Sequence, residues 1–173
     1  MRGHPKLDDL GPALPREQWT LVDAVRHQAK THGDREFLSF EDGQKLSFAE
    51  FDHITDCLAS ALADLGLEAG DRILGLLTNS KEFMVTMIAT HKRRAVFVPV
   101  NTELRGGFLE HQVLNSSPRI VVVDDGLMNR FASLDLSTAE IETVVGVSDG
   151  SSPDISELGL LTEAAQVRMD SLL

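Results

Sequence analysis

Apolar positions along this chain fall into two alternating rhythms. Phe51, Ile54, Leu58, Ala61, Leu62 and Leu65 recur at spacings of three and four, one face of a 3.6-period helix. Ser47 and Glu50 precede that run as an S-x-x-E capping box. Gly66 stands where a left-handed cap would end it. Residues 72–77 (RILGLL) are short and almost wholly apolar, as in a parallel strand covered on both faces. Asn79 or Ser80 can cap the next helix, with Phe83, Met84, Met87 and Ile88 inward. Residues 95–100 (AVFVPV) form the next buried strand. Pro99 cannot donate to a ladder, which places it near the strand end or at an edge. Strand, helix and strand in this order make a right-handed crossover of a parallel sheet.

The flanks continue the rhythm. Thr20 can cap a helix in which Leu21, Val22, Val25 and Ala29 face inward, closing near Gly33. Residues 36–40 alternate as a strand, Asp42-Gly43 signals a turn, and residues 45–47 return, which predicts a hairpin. After Asn101 a short helix holds Phe108, Leu109 and Val113. Residues 119–124 are a third buried strand, 126–134 a short helix and 141–147 a fourth strand. Residues 158–173 read as a short helix, with Leu160, Leu161 and Val167 on its apolar side. The expected organisation is a flexible arm over 1–18, an α/β subdomain over 19–148, and an acidic linker with a short C-terminal helix over 149–173. The fold class is α/β: a mostly parallel sheet flanked by helices, with an N-terminal β-hairpin.

Composition narrows the function. A chain of 173 residues can bury a real core, roughly 70% of its unfolded surface. Its formal net charge of −11 suits neither nucleic acid nor an anionic membrane. The lone Cys57 excludes an internal disulfide and reads as a buried structural thiol. No run approaches the roughly 18 apolar residues of a membrane span. The N-terminus lacks the apolar core of a signal peptide, so a cytoplasmic protein is expected.

Candidate chemistry is sparse. Neither G-x-x-x-x-G-K-[ST] nor G-x-G-x-x-G occurs, and there is no G-x-S-x-G elbow. No two of the six histidines have the i, i+4 spacing of a helical metal site. No catalytic or metal-ligating residue is therefore assigned. Asp124-Asp125 follows a strand, either as ligand-facing carboxylates or as caps of the next helix. Lys92-Arg93-Arg94 reads either as a phosphate-facing cluster or as a solvated helix end complementing the dipole. Gly106-Gly107 opens a helix, as a turn or an anion site. Asn101, Thr102 and Arg105 follow the end of a strand and are the binding candidates, with turn formation as the alternative.

Four segments carry a family resemblance: LSFAEF (46–51), LGLEAGDR (65–72), NSKEF (79–83) and VPVNTEL (98–104). In this order and spacing they resemble the N-terminal part of the adenylate-forming enzymes, which include acyl-CoA synthetases, luciferases and nonribosomal adenylation domains. The similarity runs from about Thr20 to about Asp125. The wording VNTELRG is most similar to acid–CoA ligases acting on fatty or carnitine-type acids. One departure is clear. Where the family has a small, glycine-containing segment before the second strand, this chain has His91-Lys92-Arg93-Arg94-Ala95. The resemblance implies a subdomain of an enzyme that forms an acyl-adenylate and then an acyl-CoA thioester. ATP, Mg²⁺ and coenzyme A are implied for a complete enzyme and no cofactor for this chain. The family's phosphate loop and lysine-bearing lid lie in later segments that find no counterpart here, so an inactive fragment is expected. Its partner would be the remainder of the enzyme, or a second copy meeting it through uncovered apolar surface. The alternative is a stand-alone, non-catalytic α/β module that binds a partner or ligand.

Overall fold

The computed structural model describes Pro15 and residues 20–41, 43–148 and 164–173. Apart from Pro15, the expected arm lies outside the described residues, as do Asp42 of the turn signal and residues 149–163, which hold the linker and the start of the expected C-terminal helix with Leu160 and Leu161. Thr20 caps helix α1 (Leu21–His32), its hydroxyl accepting from the Asp23 amide. Strands β1 (Glu36–Ser39) and β2 (Lys45–Ser47) form the expected antiparallel hairpin. Gly43 turns it at φ 85°.

Helix α2 (Phe48–Asp64) begins on the predicted capping box. Ser47 accepts from the Glu50 amide at 3.2 Å, and Glu50 accepts from the Ser47 amide at 2.8 Å. It ends on Gly66 at φ 87°, with the Gly66 amide on the Ala63 carbonyl and the Leu67 amide on the Leu62 carbonyl. Those two bonds are the Schellman arrangement that a glycine in the left-handed region allows. Strand β3 (Arg72–Leu76) follows, then helix α3 (Lys81–Lys92), capped by Ser80. Strand β4 (Val96–Pro99), helix α4 (Gly106–Ser116) and strand β5 (Ile120–Asp124) come next. A 3₁₀ helix (Asp125–Phe131) leads towards strand β6 (Thr143–Val147).

The main sheet is parallel throughout, in the order β4-β3-β5-β6-β7, the outermost strand β7 being Ala165–Arg168. Along β5 the side chains alternate between its two faces. Ile120 and Val122 join Phe51, Leu58, Leu62, Val85 and Ile88 of α2 and α3. Val121 and Val123 join Leu109, Val113, Met128 and Phe131 on the other side. Gly75 lies mid-strand because the Phe97 ring rests on it, only 2.7 Å from where a Cβ would stand.

Several expectations are corrected. Residues 164–173 are not helical. They form strand β7 (Ala165–Arg168) and a short 3₁₀ turn (Met169–Ser171), because the open edge of β6 offers a row of ladder partners. Leu21 is 55% exposed, since α1 packs outside α2 and α3 and has no fully buried residue. Phe108 is 79% exposed, while Leu109 and Val113 of the same helix are buried as expected. β4 is half-buried rather than buried, because it is an edge strand, with Pro99 at its end. Cys57 is half-buried, its sulfur 3.9 Å from Nε2 of His53 one turn earlier.

The segment where the resemblance leads one to expect a glycine is backbone-strained. Arg94 adopts φ 57° after α3, with its amide on the His91 carbonyl and the Ala95 amide on the Thr90 carbonyl. This is a second Schellman ending, built on a residue with a Cβ. The left-handed region costs such a residue roughly 1–2 kcal/mol.

Candidate functional site

Ligands of open α/β sheets gather outside the carboxyl ends of the strands. At the ends of β3 and β4 a cleft of about 410 Å³ opens, lined by Leu77, Thr78, Asn79, Phe83, Pro99, Val100, Asn101 and Thr102. Its floor is braced from the neighbouring strand. Buried Asp124 accepts from the Thr78 amide at 2.7 Å and the Thr78 hydroxyl at 2.8 Å through one carboxylate oxygen.

Of the three binding candidates, the structure brings two together. Asn101 and Thr102 both line this cleft. Asn101 also shapes the turn, its side-chain oxygen accepting from the Glu103 amide at 2.9 Å and its carbonyl from the Leu104 amide at 3.0 Å. Arg105 stands apart as the exposed residue preceding α4 and makes no side-chain cap. Thr78 was not singled out in the sequence, and Asn79 was read only as a helix cap and a family segment. Their signal was a polar pair directly after the apolar run that becomes β3.

The aspartate pair does not cap the 3₁₀ helix, which has no side-chain cap bond. Asp124 serves Thr78 instead. Asp125 holds Arg168 of β7 through two parallel bonds of 2.7 Å. Within the basic triplet Arg94 is exposed, but Lys92 is not solvated. The Lys92 side chain is 2% exposed, and its ammonium donates to Asp52 and Asp56 of α2 at 2.6 and 2.7 Å. Arg93 leans toward the Leu67 carbonyl at 3.5 Å.

The segment LGLEAGDR proves to be scaffold at the opposite end of the sheet. Asp71 accepts from the Glu68 amide at 2.8 Å and from Arg119 at 3.0 Å. The Glu68 amide is the main reason its carboxyl lies below the ordinary range, with Arg119 adding to it. Arg119 is held more firmly protonated by Glu142 and Asp71 in turn.

The donor set of the cleft bears on the implied cofactors. None of its eight lining residues is basic, so they do not fit a triphosphate by themselves. Among the described residues no three His, Cys, Asp or Glu side chains gather to hold a metal ion. No helix among them is long and apolar enough to cross a membrane.

Comparison with known proteins places this architecture. The family model for AMP-binding enzymes matches residues 25–169, from within α1 to just past β7. The chain belongs to the AMP-binding enzyme family. Its curated relatives include a 3-oxocholest-4-en-26-oate–CoA ligase of Rhodococcus rhodochrous, 28% identical over 151 residues, covering 87% of this chain and 27% of that protein. A 2-succinylbenzoate–CoA ligase of Oceanobacillus iheyensis is 30% identical over 112 residues, covering 64% of this chain and 23% of its own length. This chain thus spans about a quarter of the length of these relatives. Among solved structures, a protein described as a long-chain-fatty-acid CoA ligase from Rhodopseudomonas palustris matches at TM-score 0.70 and 25% identity, over 86% of this chain and 38% of that one. The AMP-binding assignment agrees with the four sequence segments, all of which lie within the matched range.

Proposed function

We propose that this chain is the first α/β unit of an acid–CoA ligase acting on a fatty or carnitine-type acid. In the complete enzyme the acid would be activated with ATP as an acyl-adenylate and passed to coenzyme A as a thioester. The observation that carries this reading is the AMP-binding match across nearly the whole described fold. The CoA-ligase names of the relatives support the acid–CoA class. Within this unit Asn101 and Thr102 are the proposed ligand contacts, because they line the cleft at the strand ends. Arg105, outside that lining, is the weaker candidate. Phosphoryl chemistry depends on positioned phosphates and Mg²⁺, and the cleft residues supply no cation for them. The chain alone is therefore proposed to be inactive.

The test is ATP–pyrophosphate exchange with fatty acids and with carnitine. No exchange above a no-enzyme blank is expected from this chain. Detectable exchange would overturn the inactive reading.

A partner surface is proposed on α4, where Phe108 is 79% exposed. It would meet the remainder of the enzyme or, without it, a second copy. Self-association at high concentration is expected in sedimentation, weakened by Phe108→Ser. A monomer throughout the concentration range would count against it.

A further inference from the structure

A second cleft, of about 580 Å³, opens between the start of α1 and the end of α3. It lies away from the strand ends considered above, since Arg94 precedes β4 and Asn101 follows it. Its lining is unusual for a chain of net charge −11. Arg26, His91, Lys92 and Arg94 contribute to it, against the single carboxylate of Asp23.

These groups are not equally available. Lys92 is committed to Asp52 and Asp56. Asp23 is engaged by the Thr20 hydroxyl at 2.6 Å. Arg26 reaches Asp56 only at 3.8 Å, with both side chains more than half exposed, a pair too loose to fix it. The Arg94 guanidinium has no hydrogen bond or ion pair among the described residues.

Arg94 is also the strained residue. It is one of two non-glycine residues with positive φ among those described. Glycine would hold φ 57° without cost. An arginine there gives up stability and, among the described residues, forms no hydrogen bond or ion pair through its side chain. Strain of this kind collects where a side chain serves a ligand.

We propose that this cleft binds a phosphate group, held between Arg26 of α1 and Arg94 beyond α3. Guanidinium forks suit the oxygens of a phosphate, and two forks lining one cleft suit a dianion. His91 adds a donor on the α3 side. The phosphate can be free or carried by a nucleotide. The site is independent of the ligase reading, because none of its groups lines the strand-end cleft.

The test is calorimetric titration of the full chain with inorganic phosphate, then with AMP, at ionic strength fixed with sodium chloride. Wild type is expected to bind phosphate. Arg94→Asn, which tolerates the left-handed backbone but lacks the charge, should bind roughly tenfold more weakly, the loss of one charge-assisted contact. Arg94→Gly should lose binding likewise, yet melt above wild type in phosphate-free buffer. Equal binding of the two probes would identify the phosphate alone as the recognised group. Tighter AMP binding would identify a nucleotide. Absence of binding by wild type, or unchanged binding in Arg94→Asn, would overturn the proposal.

Discussion

Arg168→Ala is expected to lower the unfolding free energy by about 3 kcal/mol. The reason lies in the carboxylate it would strand. The Asp125 side chain is 0% exposed, and Arg168 answers it with both arms of its guanidinium at 2.7 Å. The substitution leaves a covered charge with neither water nor cation. Removing one member of such a pair costs far more than the pair itself is worth. Urea titration followed by circular dichroism would measure it. Arg168→Lys should fall between, because an ammonium keeps the charge and loses the fork. Asp125→Asn placed with Arg168→Ala should recover at least half of the loss. A loss below about 1 kcal/mol in Arg168→Ala would mean that water reaches Asp125, and would sink the argument.

Phe51→Ala should cost about 4 kcal/mol, within the range for emptying a buried aromatic site. Phe51 is 0% exposed and sits one turn into α2. Its ring meets Phe37 of β1 at 5.1 Å, and Phe37 stacks on Phe48 at 4.5 Å. This cluster helps fasten the hairpin to the helical layer, together with Leu38 and Leu46. A two-stranded hairpin is marginal by itself, so its ordering depends on those rings. Amide exchange in β1 and β2 should therefore quicken in Phe51→Ala more than in β5. Equal protection of β1 and β2 in both proteins would show that the hairpin is held by something else. Phe37→Ala should cost less, since Phe37 is only partly buried.

The legible parts of the fold were those written locally. The Ser47 and Glu50 box, the Gly66 ending and the apolar run of β5 each lie within a few residues of one another, and each formed as read. The illegible parts depended on partners far along the chain. Asp125 finds Arg168 43 residues away, and Asp124 finds Thr78 46 residues away. Lys92 meets Asp52 at a separation of 40. Nothing in the spelling of an aspartate pair or a basic triplet tells which side chains lie across the sheet or helix. The β7 segment shows the same limit. Its four residues carry little preference of their own, and an unpaired edge of β6 decided their state. In the candidate cleft, the placing of Asn101 and Thr102 at a strand end was legible, because the apolar run of β4 marks where the strand stops. Arg94 was readable as part of the basic triplet, but its neighbour Arg26 was not, because the two stand 68 positions apart in sequence (94 − 26).

The order of the sheet carries a further consequence, for how the chain is made. β3 is the first of its strands to leave the ribosome, and β4 and β5 add to its two sides. β6 then adds to β5, and β7 to β6. No strand has to wait for a later one to supply its neighbour. Synthesis from the N-terminus can thus extend the sheet in the order in which residues emerge. The hazard moves with it. Until Ala165–Arg168 arrives, the outermost strand is β6, all five of whose residues are buried in the finished fold. An apolar edge of that kind is a template for other chains. Strand β7, brought in on an arginine that Asp125 is already placed to receive, covers the apolar edge of β6 and becomes the outer strand among the described residues.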